Sequence, residues 1–437
     1  MGLKQPAAHD AARSAALALL DAVLRGHHAL DGLLDDPNSA FARLDGRDRA
    51  FAHALAATAL RRKGEADAIL APLLQKPLPK SAGPAPLILL LGVVQLRFLD
   101  VPAHAAIDRS VALAHADPKA RHFAGLINAV LRRAAAAPIE DTPAPINTPG
   151  WLWQRWAKAY GDETAAAIAR AHREEAPLDI SAKSDAAGWA AKLGGVVLAT
   201  GTIRIRTMTA PVSELPGFAE GAWWVQDAAA ALPARLLGDV KGKHVADLCA
   251  APGGKTAQLA ASGAIVTAVD SSAARLRRLE ENMARLKLPC RAIAADILKW
   301  EPDQDFDAIL LDAPCSATGT IRRHPDLPYV KSAEQIAELA KLQTKMLDRV
   351  AAWVKPGGLL VYGTCSLELE EGERQTERFL AARRDYRRAP PDPTEIGGQS
   401  QFINQNGDLR IHPGMAIGAE TGLDGFYAAR LRRQPAS

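Results

Sequence analysis

Between residues 244 and 364 the sequence alternates four short apolar runs, at 244–249, 264–270, 306–312 and 359–364, with amphipathic stretches, notably 272–286 and 333–353. That rhythm leaves few folds open. Short apolar runs separated by helical patterns are the signature of βαβ units, which assemble into a parallel sheet covered by helices. A sheet of this kind receives its ligands beyond the C-terminal ends of its strands. The polar residues that close each run are therefore the ones to weigh for chemistry, and a further strand-like segment before Asp296 adds one more.

At 437 residues the chain is too long for one hydrophobic core, since such cores stop growing near roughly 250–300 residues. The stretch ahead of the alternation reads differently. Helical periodicity runs through 8–24, 47–60, 87–98, 105–114 and 120–137, with Leu17, Leu20 and Leu24 on one stripe and prolines such as Pro37, Pro77 and Pro102 at the breaks. Residues 1–140 are expected to form an all-α domain. Pro143, Pro145 and Pro149 mark 141–149 as a linker. A Trp-rich helical pattern over 151–171 and the strand-like Ile203, Ile205 and Thr207 make 150–220 a small α+β subdomain. Residues 221–437 then form the α/β domain, so the expected class is multidomain, all-α followed by α/β.

Composition removes several function classes. The longest apolar run, 87–94 with Gly92 inside it, is far short of the ~20 residues that a spanning helix needs. Asp10, Arg13 and Asp21 interrupt the segment where a signal peptide would be unbroken, so a cytoplasmic protein with no membrane attachment is expected. The four cysteines, Cys249, Cys290, Cys315 and Cys365, show no CxxC spacing, which disfavours a disulfide scaffold and a zinc site; no metal is expected. The net charge of +4 comes without a basic tail. Any nucleic-acid contact has to arise from local clusters such as Arg322-Arg323-His324.

The first run leads into Asp247-Leu248-Cys249-Ala250-Ala251-Pro252-Gly253-Gly254-Lys255-Thr256. Small residues and paired glycines between a strand and a helix let a ligand approach the backbone closely. Gly254-Lys255-Thr256 also matches the end of a triphosphate-binding loop. That reading fails because the glycine required at its start is Cys249, and Pro252 removes a backbone donor. Asp270 closes the second run, placed to accept hydrogen bonds from the ribose of an adenosine cofactor; its bland alternative is a helix cap. Asp296 repeats that logic for the adenine amino group.

The third of the four runs closes on Asp312-Ala313-Pro314-Cys315-Ser316, and the fourth on Thr364-Cys365-Ser366. A lone cysteine is more often a small buried hydrophobe than a nucleophile. Two at the ligand-binding ends of neighbouring strands are better explained by chemistry. C5 of cytosine is a poor nucleophile and does not attack a methyl sulfonium unaided. A thiolate that adds to C6 breaks the aromaticity and makes C5 enamine-like, splitting one difficult step into easier ones. Asp312, hydrogen-bonded at N3, would absorb the charge developing in the ring. A second thiol suits the release of the first, and Lys255 is the nearest candidate for the positive charge that a thiolate needs.

Cys-Ala-Ala-Pro-Gly-Gly-Lys (249–255), Asp-Ala-Pro-Cys-Ser (312–316), Arg-Arg-His-Pro-Asp (322–326) and Thr-Cys-Ser (364–366) together resemble RNA cytosine-5 methyltransferases. Residues 91–106 and 123–133 resemble the NusB-like RNA-binding domain, and the combination, with Asp424-Gly425-Phe426-Tyr427 as a final hairpin, is similar to the ribosomal RNA small subunit methyltransferase B family. The resemblance implies a NusB-like all-α domain ahead of a Rossmann-like domain that binds S-adenosylmethionine through Cys249, Ala250, Ala251, Pro252, Gly253, Gly254, Lys255, Asp270, Asp296 and Asp312. It implies Cys365 as nucleophile, Cys315 as the thiol assisting product release, and Asp312 as a catalytic partner. It implies 16S ribosomal RNA as substrate, with 150–220 touching RNA and Gln226 and Asp227 near it. A buried cytosine must leave the stack before C6 is attacked, so the target is expected to be unpaired or flipped. Arg322, Arg323 and His324, just after the catalytic loop, are candidates for holding the flanking phosphates, with a solvated loop as the bland alternative. A monomer is expected. The sequence departs from the family at 177–183, where an Arg-x-Asn pattern is usual. The same chemistry on transfer RNA or another RNA, and a non-catalytic NusB-like RNA-binding protein, are the alternatives.

Overall fold

The computed structural model describes residues 8–138, 142–208 and 210–435; positions 1–7, 139–141, 209 and 436–437 lie outside the described residues. The chain divides into two compact units. One holds the residues up to 173 together with 321–332, the other 174–320 together with 333–437.

The first unit is built from the helices Ala8–Leu24, Leu30–Leu34, Gly46–Arg61, Lys63–Leu70, Ala85–Arg97, Ala103–Ala116 and Ala124–Ala136. Helix Ala85–Arg97 is central: every residue from Leu87 to Gln95 is buried, because its sequence is apolar all round rather than along one stripe. Its one buried polar side chain is satisfied. Gln95 Oε1 accepts from Arg13 Nε at 2.7 Å and its Nε2 donates to the Leu91 carbonyl at 3.0 Å.

Two expectations about this region are corrected. Helices Gly150–Tyr160 and Asp162–Ala171, expected in a separate α+β subdomain, belong to the helical unit. The linker ahead of them is fastened: Thr142 Oγ1 and Asn147 Nδ2 each donate to the Glu65 carboxylate at 3.0 Å, and Arg173 pairs with it. A buried carboxylate needs such donors to be tolerated.

The second correction concerns the basic cluster. Residues 321–332 fold into the helical unit, where Asp326 Oδ2 accepts from Leu30 N at 2.9 Å and Tyr329 OH donates to the Leu60 carbonyl at 2.9 Å. Arg322, expected to hold RNA phosphates, is 3% exposed. It lies near His172, whose imidazole is pushed down to about 3 by burial and then by the Arg322 charge. His324 Nδ1 sits 3.2 Å from Asp31, and Arg323 is half-buried. Pro325, Pro328 and the apolar residues of this segment draw it inward, which a count of charges does not reveal.

The second unit begins with a small antiparallel sheet, β1 (Leu178–Ala182), β2 (Val196–Val197), β3 (Ile203–Ile205) and β4 (Trp223–Val225), in the order β2-β3-β1-β4. Arg204 donates to both oxygens of Asp179 at 2.8 Å, with each side chain at most 1% exposed. The divergent segment 177–183 is thus the middle of a sheet. Gln226 and Asp227, expected beside RNA, are buried here and their polar atoms are committed. Gln226 Oε1 accepts from Ser181 Oγ and Trp224 Nε1 at 2.9 Å each, and Asp227 Oδ1 accepts from Ala229 N at 2.8 Å. Gln226 Nε2 also donates to Gln258 Oε1 at 3.2 Å, and Asp227 Oδ1 accepts from Asp424 N at 3.3 Å, which ties the small sheet to the larger one.

The main sheet comprises β5 (His244–Leu248), β6 (Ile265–Asp270), β7 (Arg291–Ala294), β8 (Phe306–Asp312), β9 (Val354–Thr364), β10 (Tyr386–Arg388), β11 (Leu409–Ile411) and β14 (Phe426–Arg433); β12 (Ala416–Ile417) and β13 (Glu420–Thr421) form a separate hairpin. The order is β10-β14-β9-β8-β5-β6-β7, with β11 also on β14. β5 through β9 are parallel, and β14 returns antiparallel along β9. Period-two alternation sorts the strand residues between faces. Val245, Ala268, Leu310 and Val361 pack on one side with Leu276, Leu279 and Met283 of helix Ala273–Leu286. Ala246, Val269, Ile309 and Leu360 pack on the other with Met346, Leu347 and Val350 of helix Ala333–Val350. The chain leaves β5 in one direction for β6 and β7, and returns on its other side for β8 and β9. That reversal opens a crevice between the loops following β5 and β8, where such sheets bind ligands.

Candidate active site

The loop after β5 carries the strain that a close backbone approach requires. Cys249 has φ +62° and Gly253 φ +103°. A Cβ on Gly253 would meet Leu279 at 2.8 Å, so only glycine serves there. The loop is held from behind. Ala250 N donates to the Val269 carbonyl at 3.1 Å, Ala251 N donates to Asp270 Oδ2 at 3.1 Å, and Arg275 Nη2 donates to the Ala251 carbonyl. Asp270 Oδ1 accepts from Ser272 N at 2.9 Å. Its carboxylate is therefore both a loop brace and a helix-end partner, with further lone pairs beyond these bonds. Asp296 follows β7 and is half-exposed; its Oδ1 accepts from Leu298 N at 3.0 Å.

Across the crevice, Lys255 Nζ donates to Asp312 Oδ2 at 2.7 Å and stands 4.9 Å from the centre of the Phe426 ring. Burial pushes the Lys255 amine down, but the Asp312 charge outweighs it with help from their hydrogen bond, and the net shift is upward. Lys255 is an ammonium whose charge also reaches Cys365. The sulfurs of Cys315 and Cys365 are 3.5 Å apart. Register explains why: Asp312 of β8 pairs with Gly363 of β9, and Ala313 N donates to the Gly363 carbonyl at 2.9 Å. Cys315 is pushed well up by its bond to Cys365, then by burial. Cys249 is also pushed up, chiefly by burial and then by Asp312 and Asp270, so it remains a thiol in the loop wall.

Sequence reasoning passed over two buried acids. Asp247 was in plain view in the first motif, one residue before the end of β5. It is wholly buried and accepts from Thr256 Oγ1 at 2.6 Å. Burial, with the charges of Asp312 and Asp270, pushes its carboxyl up to about 7 against the opposing Thr256 bond and Lys255 charge. In the unfolded chain an aspartate titrates near 3.9. Between those values the folded protein keeps a proton that the unfolded chain has released. Stability therefore falls as pH rises through that window, by ~1.4 kcal/mol per unit. From pH 5 to pH 7, chemical denaturation should show the protein losing about 2 kcal/mol more than Asp247→Asn does. Parallel pH dependence in the two proteins would show that this carboxyl ionises normally in the fold. The second overlooked acid, Glu371, had no signal in a run of glutamates of which Glu368 is buried too; its bonds to Ser316 and Ser366 single it out.

S-adenosylmethionine presents hydroxyl and amino donors and a net positive charge. The crevice offers acceptors of the matching kind on Asp270 and Asp312, which end β6 and β8, and on Asp296 in the loop after β7. Its floor is open backbone: a Cβ on Gly254 would find nothing nearer than 3.7 Å. The residues fit the group. The solved structure of PH0851 superimposes with a TM-score of 0.74 at 21% identity, over 99% of this chain and 100% of that one. A methyltransferase homolog from Pyrococcus horikoshii superimposes with a TM-score of 0.54 at 26% identity, over 64% of this chain and 93% of that one. Fold and crevice together define an S-adenosylmethionine-dependent methyltransferase.

The family is narrower than that. Residues 234–432 match the model of the 16S rRNA methyltransferase RsmB/F family and residues 10–136 that of the NusB family. Ribosomal RNA small subunit methyltransferase B of Vibrio cholerae is 36% identical over 445 residues, covering 97% of each chain. The chain belongs to the ribosomal RNA small subunit methyltransferase B family.

Proposed function

We propose that this protein transfers a methyl group from S-adenosylmethionine to C5 of a cytosine in 16S ribosomal RNA, with Cys365 as nucleophile and Cys315 as the thiol that assists release. The observation that carries this reading is the pair of sulfurs 3.5 Å apart at the ends of adjacent strands, with the Lys255–Asp312 pair beside them. The Cys365 thiolate adds to C6, supported by the Lys255 ammonium. The addition places negative charge at N3, which a proton passed to N3 by way of Asp312 neutralises. When bound, S-adenosylmethionine supplies the electrophilic methyl that the activated C5 takes up. Loss of the C5 proton to water then breaks the C6–S bond, expels the Cys365 thiolate and restores the base, with the Cys315 thiol placed to hand a proton to the departing sulfur. The loop 249–255 lies against the cofactor, Asp270 accepts from its ribose and Asp296 from its adenine amino group. Both thiols come from one chain, so the site is complete in a monomer, which works in the cytoplasm.

The deciding experiment is methyl transfer from labelled cofactor to purified 16S ribosomal RNA taken from a strain lacking the protein, with the product mapped to the nucleotide. Label at C5 of one unpaired or flippable cytosine supports the reading. Label only in transfer RNA would move the chemistry to another substrate. RNA binding without any transfer would leave a binding protein.

A further inference from the structure

Behind the two thiols lies a buried carboxylate that the proposed chemistry does not use. Glu371, in the short turn Leu369–Glu371, is wholly buried. Its carboxylate accepts from Ser316 N at 2.9 Å, Ser316 Oγ at 2.5 Å, Ser366 Oγ at 2.6 Å and Gln343 Nε2 at 3.1 Å. Its carbonyl accepts from Tyr362 OH at 2.7 Å and Thr364 Oγ1 at 3.2 Å. Ser316 directly follows Cys315, and Ser366 directly follows Cys365. Gln343 Nε2 also donates to the Pro314 carbonyl at 2.9 Å, so the residue before Cys315 hangs on the same network. One side chain thus grips both thiol-bearing loops.

A carboxylate is costly to bury unless its lone pairs are filled. These are filled by protein donors alone, and every donor is on, or bonded to, a loop that carries a thiol. We propose that Glu371 is a positioning residue: it sets the register of the loops after β8 and β9, so that Cys315 stands where it can serve the ring that Cys365 attacks. The inference deepens the cytosine reading and rests on it. Charge adds a second effect. The Lys255 ammonium, bonded to Asp312, acts on Cys365, and Tyr362 and Glu371 act on Cys315; Arg410 Nη1 donates to the Ser366 carbonyl at 2.6 Å, and Arg410 pairs with Glu373. Glu371 adds to what keeps Cys315 protonated, after the bond to Cys365 and burial.

The test is alkylation of the full chain by iodoacetamide across a pH series, read separately at each cysteine by peptide mass spectrometry, with methyl transfer measured alongside. Glu371→Gln keeps the shape and removes the charge; its Cys315 alkylation midpoint should fall by about one pH unit. Its kcat should fall about ten- to a hundredfold, as displaced reacting groups do, with cofactor affinity within about threefold. Glu371→Asp keeps the charge and shortens the reach; it should keep the midpoint and lose kcat. Ser366→Ala, which breaks one grip only, should lose kcat by severalfold. An unchanged Cys315 midpoint in Glu371→Gln, or kcat within twofold of the parent in Ser366→Ala, overturns the proposal. Should Glu371→Gln not fold, the Ser366→Ala rate alone decides it. A shifted midpoint in a protein whose parent methylates no cytosine would sink the cytosine reading and leave the positioning role standing.

Discussion

Cys365→Ala removes methyl transfer, with kcat falling by roughly four orders of magnitude or more, as when an attacking nucleophile is deleted. Affinity for S-adenosylmethionine should stay within about threefold. The loop 249–255 is braced by Val269, Asp270 and Arg275, none of which depends on the tip of β9. The other sulfur is close enough to be considered, but its bond to Cys365 and burial push the Cys315 thiol well up, which disfavours it as the attacking thiolate. Initial rates with labelled cofactor, together with equilibrium binding, check both halves of the expectation. Turnover above a few per cent of the parent would mean that Cys365 is not the attacking group.

Cys315→Ala should instead trap the reaction halfway. With C6 bonded to Cys365 and C5 already methylated, release requires loss of the C5 proton and departure of the sulfur. The 3.5 Å between sulfurs puts Cys315 beside that event. Its removal leaves a thioether between protein and RNA, which survives denaturing electrophoresis as a band of raised mass. Most of the enzyme should enter that band in a single turnover, and multiple turnover should fall by about two to four orders of magnitude. The doubly substituted Cys315→Ala, Cys365→Ala protein should give no band. A Cys315→Ala protein that turns over normally, or forms no adduct, would take that residue out of product release.

The strands and the cofactor crevice were legible because their determinants are local. Apolar runs of strand length must pair, and the residues closing parallel strands must share one edge. The expected runs match β5, β6, β8 and the end of β9 within a few residues. Asp270, Asp312, Cys315 and Cys365 consequently share that edge, with Asp296 in the loop after β7. Ser272 illustrates the same locality: its Oγ accepts from Arg275 N at 3.3 Å, capping a helix whose Leu276, Leu279 and Met283 recur at helical spacing. Arg322 and Gln226 misled for the opposite reason. A side chain's type says that it can meet RNA, but burial decides whether it does. Arg322 is folded into the helical unit, and Gln226 is spent on Ser181, Trp224 and Gln258.

Sequence alone determined the two kinds of architecture, the small-residue loop after β5 and the two sulfurs at neighbouring strand ends, because strand period, turn chemistry and strand-end placement act over a few neighbouring residues. Tertiary structure decided the rest: that helices Gly150–Tyr160 and Asp162–Ala171 join the first unit, that 321–332 belongs to it as well, and that the Glu371 carboxylate bonds the residues following both thiols. Those outcomes depend on which charged groups find enough donors to be buried, and that is settled by residues far apart in the chain.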